Sequence, residues 1–108
     1  MTFDPGLVSR VADALTSLGE RSARQRNVFS GRGFLLGKKT FAIAWNDSLL
    51  VKAAPSEHKA LLAEPGVTPF TPPGGKRSMG TWLVVAPDAI ADDPELTDWL
   101  RRALRGVR

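Results

Sequence analysis

The stretch VFSGRGFLLGKKTFAIAWNDSLLVKA, Val28 to Ala53, decides the fold. Glycine and polar turn residues recur in it too often for a helix, and its apolar residues run in short blocks. Arg26 to Leu36 carries Val28, Phe29, Phe34, Leu35 and Leu36 around Gly31 and Gly33, and reads as a first strand. Gly37-Lys38-Lys39 is a tight turn into Thr40–Trp45, where Phe41, Ile43 and Trp45 alternate with Ala42 and Ala44. Alternation of that kind predicts a strand with one bulky and one small face. Asn46-Asp47-Ser48 is a second turn and Leu49–Ala53 a third strand. Three strands joined by short turns make an antiparallel meander.

Helix signals flank this block. Asp4-Pro5 is a cap followed by a residue whose missing N–H costs nothing. Leu7, Val8, Val11, Leu15 and Leu18 recur at helical spacing before Gly19. Downstream, Pro55–Ala63 reads as a short helix, Val67–Phe70 as an edge strand because Pro69 removes a ladder donor, and Trp82–Ala86 as a fifth strand. Pro87–Ile90 reads as a helical turn. The last helix is predicted from Pro94, capped by Asp93, burying Leu96, Trp99, Leu100, Ala103 and Leu104. The expected architecture is a two-layer α+β domain over residues 1–108, an antiparallel five-stranded sheet with helices on one face, in the order α-β-β-β-α-β-β-α.

Composition narrows the chemistry. The 108 residues include no cysteine and one histidine, His58, which excludes a disulfide scaffold, a thiolate metal site and a cysteine nucleophile. No cofactor or metal is expected. Apolar runs are far shorter than the ~20 residues that span a bilayer, and the N-terminus lacks a basic segment before an apolar one, so a cytoplasmic location is expected. Fifteen Lys and Arg against eleven Asp and Glu give a net charge of +4. Between Arg21 and Lys39 lie six basic residues and no acid. Five acids between Asp88 and Asp98, followed by Arg101, Arg102, Arg105 and Arg108, oppose the dipole of the last helix and read as structural.

Three constellations fail as catalytic sites. Gly31-Arg32-Gly33 lacks the third glycine and the strand-to-helix setting of a dinucleotide loop. Ser56 and His58 are too close in sequence to face each other on a helix, and Ser56 and Lys59 have no accompanying motif. The acidic run lacks the alternation and glycine turn of a calcium loop. The chain is therefore expected to be non-enzymatic. A candidate polyanion-binding patch remains: Arg24, Arg26, Arg32, Lys38, Lys39, Lys76 and Arg77. Reading Arg26–Leu36 as one strand puts Arg24, Arg26 and Arg32 on one face with Val28 and Phe34, and Lys38 and Lys39 at a sheet end. Trp45, Trp82 and Trp99 fall at core positions, although a Trp on a sheet face without helices suits a subunit contact.

The quoted stretch resembles the opening of the TfoX N-terminal domain of the TfoX/Sxy family, through Phe29, Gly31, Gly33, Gly37-Lys38, Phe41, Ala42 and Leu50-Val51-Lys52. Gly66, Pro69, Phe70, Met79, Trp82, Pro87, Trp99 and Ala103 continue the likeness to about Leu104. Val28 and Ser30 replace the family's usual Met and Gly, and the chain has no tyrosine. The resemblance implies a two-layer α+β fold without catalytic residues to carry over. It also implies a stand-alone copy lacking the second domain of the bacterial competence regulators, which act with other transcription factors. The expected function is a regulatory protein-interaction module, as a homodimer or with another protein; the alternative is nucleic-acid binding by the Arg21–Lys39 segment.

Overall fold

The computed structural model describes residues 4–28, 31–71 and 80–107. Its elements are α1 (Pro5–Ser17), β1 (Arg24–Val28), β2 (Gly31–Leu36), β3 (Lys39–Trp45), β4 (Ser48–Lys52), α2 (His58–Leu62), β5 (Val67–Pro69), β6 (Trp82–Val85), a 3-10 turn Pro87–Ile90, and α3 (Asp93–Arg105). One antiparallel sheet holds all six strands in the order β1-β2-β3-β4-β6-β5. The α+β class and the antiparallel sheet are as expected; the strand count is not.

The extra strand comes from the segment read as one strand to Leu36, which folds back on itself. Arg24–Val28 pairs with Gly31–Leu36, from Arg24 opposite Leu35 to Val28 opposite Gly31. Arg24–Asn27 are all exposed, so β1 shows no inside–outside alternation and is held by backbone pairing at the sheet edge. At the other edge lies β5, whose Pro69 fits a position needing no outward donor.

A bulge corrects a second expectation. Phe34 pairs with Ala42 and Leu35 with Thr40, which leaves Phe41 as an additional residue in β3. Phe41 therefore joins Ala42 and Ala44 in the core beneath the helices, whereas Ile43 and Trp45 belong to the opposite face. The bulky set is split between the two faces.

All the buried helical side chains belong to the larger cluster, with Phe34, Leu49, Val51, Leu83 and Val85 from the sheet. Helices α1 and α3 lie side by side on that face, and the small Ala42 and Ala44 leave room for them. Asp4 caps α1 by accepting the Gly6 N–H at 2.8 Å, and its own N–H donates to the Asn46 carbonyl in the β3–β4 turn. The predicted cap of α3 is corrected. Asp92 occupies that position without a side-chain bond, and Asp93 instead accepts from Arg10 Nε at 3.1 Å. Arg10 also donates to the carbonyls of Ile90 and Ala91, tying α1 to the start of α3.

The C-terminal end of α3 meets the sheet at Gly106. A Cβ there would overlap the Lys52 carbonyl oxygen and stand 3.2 Å from the Ala54 nitrogen, both backbone atoms that cannot yield independently. At Gly33 the nearest obstruction is the Val28 Cγ2, a side-chain atom that can rotate away. Gly106→Ala is expected to destabilise the fold by about 1–3 kcal/mol, and by more than Gly33→Ala. Urea unfolding of both variants checks the order; a more damaging Gly33→Ala would contradict it.

Candidate functional site at the basic edge and the helix-free face

The face of the sheet away from the helices carries a second apolar cluster. Ile43 and Leu50 are fully buried, Phe70 and Trp82 nearly so, and Val28, Trp45 and Val84 pack around them half-buried. Trp45 and Phe70 meet edge to face, with centroids 5.6 Å apart and planes at 78°. These residues come from β1, β3, β4 and β6 and the end of β5, and none from a helix. Trp99 lies in the helix-side core, so the three tryptophans divide between two clusters. Strand parity contained the signal for the second cluster, because Ile43, Trp45, Leu50, Trp82 and Val84 share one face by register.

The candidate basic residues do not share one face. Arg24 and Arg26 are exposed and stand opposite Leu35 and Gly33, on the same side as Val28 and Ile43. Arg32 pairs with Asn27 and Ala44, which puts it on the helix side, as it does Phe34. Pairing of Val28 opposite Gly31 inverts the parity that a single continuous strand would have had. Lys38 and Lys39 are exposed at the β2–β3 turn, at the sheet end where Arg24 begins β1. Lys76 and Arg77 lie outside the described residues. The structure thus brings Arg24, Arg26, Lys38 and Lys39 to one corner and separates Arg32 from them.

Pairing distinguishes two populations of cations. In α3, Arg101 pairs with Asp98 at 3.0 Å, Arg102 with Asp98 and Glu64, and Arg105 with Glu57. Arg102 also lies over the Trp99 ring at 4.7 Å. These contacts clamp both ends of the α2 segment onto α3. By contrast, Arg21, Arg24, Arg26, Lys38 and Lys39 form no ion pair among the described residues. Arg32 donates to neutral amides, Gln25 Oε1 at 3.0 Å and Asn27 Oδ1 at 2.9 Å, and so keeps its charge.

A groove of about 500 Å³ runs between α1 and the β1 edge. Ala12, Leu15, Ala23 and Phe34 form its apolar lining, with Thr16, Glu20, Arg21 and Gln25 around them. Glu20 accepts the Ser22 hydroxyl at 2.8 Å. No group of His, Cys, Asp and Glu suited to holding a metal occurs among the described residues, and none of their polar or charged side chains is buried. No helix among them is long and apolar enough to cross a membrane.

The Arg105 hydrogen bond holds the Glu57 carboxyl below its ordinary value of 4.5. Because the folded value is the lower one, the pair's contribution is complete above pH 4.5 and is lost as pH falls through the depressed value. Glu57→Gln is expected to lower the Tm at neutral pH and to shrink its acid-side decline. Thermal unfolding across that range checks this, and parallel acid profiles for the two proteins would refute it.

The sequence model of the TfoX N-terminal domain matches residues 13–107, from within α1 to just beyond α3. No curated protein and no solved structure matches the chain. The family match spans the whole sheet, the helix-free apolar cluster and the basic edge: the chain belongs to the TfoX N-terminal domain family.

Proposed function

We propose that this chain is a non-enzymatic regulatory module that binds a protein partner, with the helix-free face of the sheet as part of the contact surface. The observation that carries this reading is the second apolar cluster, where Trp45, Val28 and Val84 remain half-buried beside an aromatic pair. Tryptophan in such a setting is enriched at protein contacts. Membership of a family whose full-length relatives regulate competence genes supports the regulatory part. The non-enzymatic part of the reading is supported by structural roles for some residues of the weak motifs: Asp98 pairs with Arg101 and Arg102, and Gly31 and Gly33 stand close against neighbouring atoms. A chain without cysteine suits a reducing compartment, and we place it in the cytoplasm.

A second reading, nucleic-acid binding, is favoured by one observation, the cations at the β1 corner that form no ion pair among the described residues. Phosphate contacts of this kind weaken steeply with salt, whereas an apolar contact does not. Sedimentation at low and moderate salt, alone and with a mixed-sequence DNA duplex, separates the two. We expect self-association that persists at moderate salt, is reduced by Trp45→Asp and ignores the duplex. Co-sedimentation with DNA that falls steeply with salt would transfer the function to the second reading.

A further inference from the structure

We infer that the free edge of β1 binds an extended acidic peptide segment as an additional antiparallel strand of the sheet. The inference rests on the protein-interaction reading and names the chemistry of a partner. Among the described residues β1 ends the sheet and pairs with β2 alone, so alternate residues between Arg24 and Val28 direct their N–H and C=O groups outward. An unpaired row of this kind is a template for another strand, and extended peptides are recognised by adding to such edges.

The two sides of the edge differ in chemistry, which sets the pattern of the incoming strand. On the helix-free side, Arg24 and Arg26 are two residues apart, exposed, and without a carboxylate partner among the described residues. Alternate side chains of an added strand would meet them there, and acidic ones would be stabilised. On the helix side lies the groove beside α1, lined by the apolar Ala12, Leu15, Ala23 and Phe34 together with Thr16, Glu20, Arg21 and Gln25. The intervening side chains of the strand would enter it, and apolar ones would be stabilised. The complementary ligand therefore alternates acidic and apolar residues.

The same charges argue against a second copy of this chain as the occupant. Pairing β1 antiparallel with itself about its centre places Arg26 opposite Arg26, and sliding one strand by two residues places Arg24 opposite Arg26. Like charges directly opposite destabilise a strand pair, a device that also protects natural sheet edges from self-association.

The test uses fluorescence anisotropy with a labelled peptide of about eight residues alternating Glu and Val, long enough for one strand. We expect the peptide to bind and a version N-methylated at alternate amides to bind at least tenfold more weakly, roughly 1.4 kcal/mol. Arg24→Glu with Arg26→Glu is expected to abolish binding and to create affinity for the matching Lys–Val peptide. Hydrogen exchange on the wild-type complex should show new protection at β1 amides. Absence of peptide binding, or equal binding of the N-methylated peptide, would overturn β1 pairing. If self-association through Trp45 persists in that case, the protein-interaction reading stands without it. Duplex DNA binding at Arg24 and Arg26, with no peptide binding, would overturn both.

Discussion

The central residues of strands β3 and β4 are dry on both sides, and the rest of the structure follows from that. Ala42, Ile43, Ala44, Leu49 and Leu50 have no exposed surface and Val51 has 1%. Backbone amides between two apolar layers find no water, so each must be paired within the sheet. Satisfying this requires strands on either side, β2 beyond β3 and β6 beyond β4, and cover above and below. Above, helices come close because Ala42 and Ala44 are small, and the bulge at Phe41 adds one large side chain to that layer. Below, the cover comes from side chains of the sheet and Phe70.

The two outer edges receive the least of this protection and carry the features that face a partner. At β5 the edge is short and contains Pro69. At β1 it is exposed and basic. Exposed ion pairs contribute only about 0–1 kcal/mol each, so the clamps between α2 and α3 orient elements more than they stabilise them. They do occupy Arg102 and Arg105. Among the described residues, five cations without an ion pair, Arg21, Arg24, Arg26, Lys38 and Lys39, lie around β1 and the β2–β3 turn, next to the groove along α1.

Much of this is legible in the sequence. Helix α1 announces itself by Asp4-Pro5 and the spacing of Leu7, Val11 and Leu15; α3 does so by Leu96, Trp99, Leu100, Ala103 and Leu104. Burial on one stripe imposes the 3.6-residue period, so these elements write their geometry into the chain. The β3–β4 hairpin is marked by its turn residues and apolar blocks. What escaped was β1, whose Arg-Gln-Arg-Asn run meets solvent on both faces and has nothing to alternate. The candidate site suffered by the same cause. Treating β1 and β2 as one strand put Arg32 beside Arg24 and Arg26, and a hairpin reverses that parity.

The sequence by itself determined the class of fold, the family, both long helices and the surplus of positive charge between Arg21 and Lys39. These properties are local or compositional, set by periods, caps and counts within a few residues. Tertiary contacts set which face of the sheet the helices cover, that Phe41 leaves the side of Ile43 and Trp45, which arginines find carboxylates, and that β1 is an edge strand among the described residues. Those outcomes depend on register and on contacts between segments distant in the chain, such as Arg105 with Glu57 or Gly106 against Lys52. Complementarity at such contacts exists only after the chain has folded.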